Sequence, residues 1–178
     1  MGAIKILTTF DLFAFNWCLA RPRAPQMAKV SRYISRIGDG GFYLALAVLL
    51  ALCEPQSGAI FLSVGLLAYA IELPVYLLLK NTIKRDRPCD SLPFEAYIKP
   101  SDKFSFPSGH AAAAFVFATL IAHFYPTFDV FAYMLALMVG ISRLLLGVHY
   151  PTDIVAGAVL GMSCASLALI YGPDLLAV

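Results

Sequence analysis

The stretch SRLLLGVHYPTD, from Ser142 to Asp153, lies between two long apolar segments and still carries an arginine, a histidine and an aspartate. The rest of the chain largely avoids charge: 60% of its 178 residues are hydrophobic and 13% are charged, with a mean hydropathy of +0.78. Soluble domains carry about 25% charged residues, so the composition indicates a membrane protein. Ionisable residues inside membrane segments are costly and usually functional, which makes Arg143 a candidate site residue.

The apolar segments around this stretch predict a helical membrane bundle. Crossing about 30 Å of hydrocarbon takes about 20 apolar residues in a helix, and runs of that kind occupy about 58–79, 108–125, 129–147 and 152–171. A fifth run, about 40–53, is short and is expected to begin within the 30s. The predicted fold is an all-α integral membrane bundle of about five to six transmembrane helices. Residues 1–178 are expected to form one domain, with the catalytic bundle in 38–178.

Residues 1–37 are predicted to form an amphipathic interfacial region. At 100° per residue, one side of the segment 4–19 carries the polar residues Lys5, Thr8, Thr9, Asp11 and Asn16. This pattern is typical of a helix lying in the interface. Residues 26–37 repeat it, with Lys29, Arg32 and Arg36 opposite an apolar face made of Met27, Val30, Tyr33, Ile34 and Ile37. The second segment is either interfacial or the solvated end of the next helix.

Counting the spans places three charged clusters on one side of the membrane. With four consecutive crossings from residue 58 onward, residues 80–107 and 142–153 emerge on the same face. The first cluster is KNTIKRDRP at 80–88, the second is PSGH at 107–110, and the third is the quoted stretch. A functional site is therefore expected at this face.

Together the three clusters combine fixed cations with a helix start, and that combination favours phosphate binding. A phosphoryl group in transfer spreads negative charge over its oxygens, and the donors of Lys80, Arg87 and Arg143 can neutralise it. Ser108 is a favourable N-cap residue, and Gly109 lets the backbone approach a ligand closely. Backbone N–H groups at such a helix start form an anion site. Each residue alone also fits a structural role, but their convergence on one face favours phosphate chemistry.

The same face carries two histidines, His110 and His149. His149 and Asp153 are four residues apart, which puts them on one face if a helix begins near Pro151. A carboxylate beside one imidazole nitrogen fixes the tautomer and leaves the other nitrogen to attack. A lone histidine at the end of a span is more often structural, so the carboxylate and the neighbouring cations are what indicate catalysis here.

These motifs closely resemble those of the type 2 phosphatidic acid phosphatase superfamily, whose active site is shared with vanadium haloperoxidases. The patterns of that family are K-x6-RP, PSGH and SR-x5-H-x3-D. All three occur here in the same order and without a mismatch, as Lys80/Arg87/Pro88, Pro107/Ser108/Gly109/His110 and Ser142/Arg143/His149/Asp153.

The resemblance implies a membrane phosphatase that acts on a lipid phosphate or diphosphate without a metal or other cofactor. It implies that His149 is the nucleophile, that Asp153 orients it, and that a phosphohistidine forms. His110 would protonate the leaving oxygen and then help to activate water. The phosphoryl oxygens would be held by Lys80, Arg87, Ser108, Gly109 and Arg143. Small bacterial proteins that this chain resembles act on undecaprenyl diphosphate or phosphatidylglycerophosphate, and no residue here separates these substrates.

Other functions fit parts of the pattern. A phosphotransferase would pass the phosphoryl group from a lipid diphosphate to another lipid. A haloperoxidase is disfavoured by the membrane spans. A non-catalytic protein that binds or flips a lipid headgroup needs the cations but not the two histidines and Asp153. The expected partners are a lipid phosphate and the bilayer, and no nucleic-acid partner is predicted.

The charges also predict an orientation in a bacterial inner membrane. The motif-bearing face carries Lys80, Lys84, Arg85, Arg87, Lys99, Lys103 and Arg143, joined by Arg21, Arg23, Lys29, Arg32 and Arg36 if 40–53 is a span. The opposite face carries Glu54, Asp129 and Asp174. The positive-inside rule then turns the site toward the cytoplasm. The resemblance points the other way, because many family members that recycle polyprenyl carriers face outward.

Several residues near the motifs have roles that the sequence leaves open. Residues 90–103 are expected to form a loop that covers the site. Phe104 and Phe106 either line the path of a lipid tail or pack in the core. Glu72 lies before Pro74 within a span and is expected to make a structural hydrogen bond. Solvated loop charges are expected at Asp86, Asp90, Glu95 and Asp102, and no disulfide is expected among Cys18, Cys53, Cys89 and Cys164.

Overall fold

The computed structural model describes residues 2–19, 24–93, 95–100 and 102–176. Within these ranges every regular element is helical, which confirms the predicted all-α class. Arg21 and Arg23, which enter the predicted charge map, lie outside the described residues.

The helices follow the apolar runs of the sequence closely. In chain order they are α1 (Gly2–Leu19), α2 (Ala24–Ile37), α3 (Gly40–Cys53), α4 (Gly58–Ile83), α5 (Pro88–Ser91), α6 (Gly109–Phe124), a 3₁₀ turn at Pro126–Phe128, α7 (Asp129–Leu145) and α8 (Pro151–Leu176). The four predicted spans from residue 58 onward correspond to α4, α6, α7 and α8. The segment at 40–53 is α3, and its expected extension into the 30s is interrupted by a bend of 47° between α2 and α3.

Length and composition separate the helices that can cross a membrane alone from those that cannot. Over the described residues, three segments qualify: Gly58–Ser91, Pro126–Leu145 and Pro151–Gly172. The bent pair α2–α3 adds a fourth if it counts as one span. α6 has 16 residues and is apolar but shorter than a full crossing. It is built largely from alanine and lies at the centre of the bundle, where Ala111, Ala112, Val116 and Leu120 are fully buried.

Small residues let α6 and α8 approach each other closely. A Cβ added at Gly157 would lie 2.4 Å from the Ser108 carbonyl oxygen, and one at Gly161 would lie 2.2 Å from that of Ala112. Such small residues are the usual means of close helix packing in membranes. The backbone N–H of Ser108 donates to the Asp153 carbonyl oxygen at 3.0 Å. The contact thus joins the second and third sequence motifs.

The N-terminal helices differ in how they place their polar residues. In α1 the polar Asp11 is fully buried together with Phe15, while the aromatic side chains of Phe10, Phe13 and Trp17 are exposed. In α2 the predicted polar face, with Lys29, Arg32 and Arg36, is exposed. Val30 and Tyr33 of its predicted apolar face are exposed as well, and its buried residues are the small Ala28, Ser31 and Ser35. α2 packs on α7.

The mid-span carboxylate of Glu72 does not have the hydrogen bond expected for it. Glu72 is buried in α4, two residues before Pro74. Among the described residues, no side chain or backbone group forms a hydrogen bond with its carboxylate. The expectation of a hydrogen bond beside the proline is therefore wrong in this structure.

Candidate active site

The first motif, which holds Lys80 and Arg87, lies at the end of α4 and in the connection that follows. Lys80 is buried in the last turn of α4, and Lys84 ends the helix in the left-handed conformation, with φ of 49°. The chain then runs extended to Arg87, which precedes the short helix α5. This turn brings Arg87 back toward Lys80, so that both cations reach one carboxylate.

That carboxylate is Asp102, from the long connection between α5 and α6. Its Oδ2 lies 2.8 Å from Nζ of Lys80, and its Oδ1 lies 2.7 Å from Nη2 of Arg87. Burial raises the pKa of the Asp102 carboxyl, but the hydrogen bonds from Lys80 and Arg87 outweigh it and hold the pKa below its ordinary value. The expectation that Asp102 is a solvated loop charge is therefore wrong. Sequence spacing carries no signal for this contact, since Asp102 lies 15 residues after Arg87.

The connection between α7 and α8 holds His149 deep in the site. Its ring is 1% exposed. The side chain of Arg87 donates from Nη1 to the Val148 carbonyl oxygen at 2.7 Å, and the same nitrogen lies 3.4 Å from Nε2 of His149. Burial lowers the pKa of His149 to about 4; Asp153 opposes this shift and Arg87 adds to it. The imidazole is therefore neutral at neutral pH.

Asp153 lies behind the other nitrogen of that ring. Its Oδ2 is 3.7 Å from Nδ1 of His149, an ion-pair distance rather than a hydrogen bond. The same Oδ2 accepts from the backbone N–H of Tyr150 at 2.8 Å. Nδ1 is buried, and no described residue forms a hydrogen bond with it. Catalytic contacts of this kind are often long without substrate, so the geometry suits a carboxylate that closes on the imidazole as the ring gains charge.

Arg85 and Asp11 form a further layer behind Asp153, and neither is a fixed position of the three motifs. Arg85 donates from Nη1 to Asp153 Oδ1 at 2.8 Å and from Nη2 to Asp11 Oδ2 at 2.6 Å. Asp11 also accepts from the backbone N–H of Thr152 at 3.1 Å. α1 is thereby joined to the start of α8. The signal for Asp11 in the sequence is a lone carboxylate in an apolar helix.

The second motif forms the start of α6, as expected for an N-cap. Ser108 is fully buried, and its Oγ accepts from the backbone N–H of Ala111 at 3.4 Å. A Cβ at Gly109 would lie 3.1 Å from the ring of Tyr76, whose hydroxyl accepts a hydrogen bond from Lys80. The glycine thus lets the helix start lie beside the first motif.

Arg143 and His110 line a cavity of about 470 Å³ on the same face. Arg143 is buried and donates from Nη1 to Ser35 Oγ at 2.7 Å, while its Nε is buried with no hydrogen-bond partner among the described residues. Nε2 of His110 lies 3.1 Å from Oδ1 of Asp39. No pattern in the sequence indicates that Ser35, in α2, and Asp39, after it, contact the motifs.

All eight residues expected at the site therefore lie at one end of the bundle. Contacts join four of them in a chain: Lys80 and Arg87 share Asp102, Arg87 reaches His149, and His149 faces Asp153. Within the described ranges, no group of three or more histidine, cysteine, aspartate or glutamate side chains is arranged to hold a metal ion. The carboxylates are paired with cations instead.

Comparison with known proteins gives the family. The model of the PAP2 superfamily matches residues 57–176, a range that holds all three motifs. The chain belongs to the PAP2 superfamily. This PAP2 protein is 30% identical over 144 residues to the decaprenylphosphoryl-5-phosphoribose phosphatase of Mycobacterium tuberculosis, covering 80% of this chain and 79% of the relative. The match leaves α1, α2 and α3 outside the family model.

Solved structures share the PAP2 fold. LpxE of Aquifex aeolicus superposes with a TM-score of 0.80 at 26% identity, covering 90% of this chain and 94% of its own. The transmembrane PAP2-type phosphatidylglycerolphosphate phosphatase of Bacillus subtilis gives a TM-score of 0.75 at 26% identity, with coverage of 98% and 88%. The predicted membership is confirmed, and with it a membrane enzyme of the lipid phosphatase class.

Proposed function

We propose that this PAP2 phosphatase removes the terminal phosphate of a lipid phosphate or lipid diphosphate through a phosphohistidine on His149. One observation carries the proposal: the neutral, buried imidazole has Nε2 on the side of Arg87 and Nδ1 on the side of Asp153. A nucleophile backed by a carboxylate and facing phosphate-binding cations is the arrangement that covalent phosphoryl transfer needs.

The cations of the site provide the phosphate-binding donors. Lys80 and Arg87 direct their donors at one point, occupied here by the Asp102 carboxylate. The two carboxylate oxygens have the charge and spacing of two phosphoryl oxygens, so Asp102 marks where the substrate phosphate binds. Nε of Arg143 supplies a further donor that has no partner in the described residues. The backbone at Gly109, at the start of α6, completes the anion site.

In the first step Nε2 of His149 attacks phosphorus. The N–P bond forms as the bond from phosphorus to the lipid-side oxygen breaks, and the electron pair of that bond goes to the leaving oxygen. His110 donates a proton to this oxygen. The imidazole of His149 becomes positively charged, and the carboxylate of Asp153 stabilises it from the Nδ1 side. The fixed cations neutralise the equatorial oxygens throughout.

In the second step water replaces the imidazole. His110, now deprotonated, accepts a proton from a water molecule whose oxygen attacks phosphorus. The N–P bond breaks, the electron pair returns to Nε2 of His149, and inorganic phosphate leaves. These two reaction steps require two histidines with different surroundings. His149 is enclosed, whereas His110 lines an open cavity.

An apolar groove next to the polar cavity supports a lipid as the rest of the substrate. The groove has a volume of about 520 Å³ and lies between α3, α6 and α7, with Phe42, Tyr43, Phe117, Phe131 and Ala136 among its lining residues. Ile37 lines the groove, and Asp39, two residues later in the chain, lines the polar cavity. A headgroup can thus lie in the cavity with its chain in the groove. Phe104 and Phe106 are not among the lining residues of the groove.

The orientation we propose places the active site at the cytoplasmic side of a bacterial inner membrane. Arg32 and Arg36 line the same cavity as His110 and Arg143, so positive charge outside the motifs gathers at this end. Two cysteines lie at opposite ends: Cys89 in α5 beside the motifs, and the exposed Cys53 at the far end of α3. Single-cysteine variants in right-side-out vesicles should react with an impermeant maleimide at Cys53 and not at Cys89. Labelling of Cys89 alone contradicts this orientation.

The activity itself is tested by phosphate release from a panel of lipid mono- and diphosphates. We expect wild type to release phosphate with and without EDTA, and His149→Gln to lose at least about a thousandfold in rate. His123→Gln is the matched control, because His123 is exposed at the far end of α6. Added acceptor lipids should remain unphosphorylated; a phosphorylated acceptor lipid indicates the phosphotransferase instead. Full activity in His149→Gln contradicts the proposal.

A further inference from the structure

The turn between α2 and α3 contacts the second motif although it lies outside the family match. Oδ1 of Asp39 is 3.1 Å from Nε2 of His110, and the side chain of Asp39 is otherwise 62% exposed. Ser35, two residues before the end of α2, accepts a hydrogen bond from Arg143. The end of α2 and the turn that follows it therefore contact both functional residues that line the polar cavity.

The backbone of this turn packs closely beside the ring of His110. A Cβ added at Gly38 would lie 2.6 Å from Cγ1 of Val139 and 3.2 Å from Cδ2 of His110. The N–H of Gly38 donates to the Ser35 carbonyl oxygen at 3.0 Å, which fixes the turn at the end of α2. Gly38 thus permits an approach that any larger residue would obstruct, and this approach places Asp39 beside the imidazole.

The carboxylate of Asp39 does not cap α3, although the position of Asp39 before the helix predicts that it would. It is the N-cap residue of α3, with extended backbone, and an aspartate there ordinarily accepts from N–H groups of the first turn. No such capping hydrogen bond is present in this described helix. The carboxylate is directed to His110 instead.

We propose that Asp39 is a positioning residue for His110 in the phosphatase reaction. The inference rests on the proposed function, in which His110 gives a proton to the leaving oxygen. Asp39 accepts from the N–H at Nε2, fixes the ring orientation and stabilises the protonated imidazole, so that the other ring nitrogen exchanges the proton. Asp39 itself touches neither phosphorus nor the leaving group.

The other charged groups around His110 explain why such a carboxylate matters. Burial disfavours the protonated form of the ring, and the positive charges of Arg143 from α7 and Arg87 from the α4–α5 connection add to this effect. Arg36 of α2 and Lys99 of the long connection also line the cavity. Asp39 is the one residue with a carboxylate among the described residues that line the cavity. Its removal therefore leaves His110, the proposed acid, surrounded by positive charge.

A leaving-group comparison tests the inference. Octyl phosphate has a poor leaving group that needs an acid, whereas the nitrophenolate of 4-nitrophenyl phosphate leaves without one. For Asp39→Asn we expect kcat on octyl phosphate to fall about 10–100-fold, part of what general acid catalysis supplies, and kcat on 4-nitrophenyl phosphate to fall less than about threefold. Asp39→Glu should recover part of the lost rate, and the alkaline limb of the pH profile of Asp39→Asn should move to lower pH.

The controls separate this inference from a structural role and from the proposed function. Asp90→Asn alters an exposed carboxylate of α5 and should behave as wild type on both substrates. Equal losses on both substrates in Asp39→Asn, or no loss on either, overturn the positioning role. Wild type that hydrolyses neither substrate contradicts the proposed function itself, and that result is seen before any variant is compared.

Discussion

Oδ1 of Asp102 lies 2.7 Å from Nη2 of Arg87, and this ion pair occupies a donor that the proposed mechanism assigns to substrate. The second oxygen of Asp102 is 2.8 Å from Lys80 in the same way. Since the Asp102 side chain is 37% exposed, the connection that carries it can release the cations without unpacking the core. Substrate phosphate and Asp102 therefore compete for the same two side chains.

The competition predicts that removing Asp102 strengthens phosphate binding. A partly exposed ion pair is worth about 1 kcal/mol, so we expect Asp102→Ala to lower the inhibition constant of inorganic phosphate about fivefold. The measurement is inhibition of the release of 4-nitrophenol, with Asp90→Ala as the control. Weaker inhibition by phosphate in Asp102→Ala would mean that Asp102 holds the cations in place rather than competing with the ligand.

The buried imidazole of His149 predicts a pH-dependent stability. Its pKa is about 4 in the folded protein and about 6.5 in an unfolded chain. Between these values the unfolded state binds more protons, so stability falls as pH is lowered from about 6.5 toward 4. Between pH 7.5 and pH 5 we expect wild type to lose about 2 kcal/mol more stability than His149→Gln, measured by thermal unfolding in detergent. Parallel losses in both proteins contradict the assignment.

The buried carboxylate of Asp11 predicts a role for α1 in stability. Asp11 accepts from Arg85 and Thr152 while fully buried. Asp11→Asn removes one charge and leaves Asp153 as the carboxylate paired with Arg85, and we expect a loss of about 1–3 kcal/mol in the free energy of unfolding. Thermal unfolding in detergent measures it, with the exposed Asp86→Asn as the control. An unchanged Tm in Asp11→Asn would show that α1 does not hold the site.

The packing of α6 on α8 predicts the effect of a single methyl group. A Cβ at Gly161 would lie 2.2 Å from the Ala112 carbonyl oxygen, so Gly161→Ala forces the helices apart. We expect a loss of about 1–3 kcal/mol. Gly41→Ala is the matched control, because nothing lies within 4 Å of a Cβ there. The expectation fails if both alanine variants have the Tm of wild type.

The sequence predicted those parts of the fold and site that depend on patterns along the chain, such as apolar runs and motif spacing. Apolar runs of suitable length gave α4, α7 and α8 to within a few residues, and the motif spacing put His149 and Asp153 on one face. The bend at Gly38 and Asp39 was not predicted, because two adjacent helical patterns carry no information about the angle between them. The partners Asp11, Asp39 and Asp102 were missed for a related reason: tertiary packing alone brings each beside a cation or a histidine.

The central claim is that a phosphoryl group is transferred to Nε2 of His149. The phosphohistidine should accumulate most in His110→Gln with 4-nitrophenyl phosphate as substrate. With this substrate the first step needs no acid, whereas hydrolysis of the N–P bond still needs the base that the variant lacks. The measurement is mass spectrometry of peptides after an alkaline quench, since a phosphohistidine survives alkali. The account predicts phosphate on the peptide that holds His149, and none when His149→Gln is added. Turnover with phosphate on no residue, or on a residue other than His149, would contradict it.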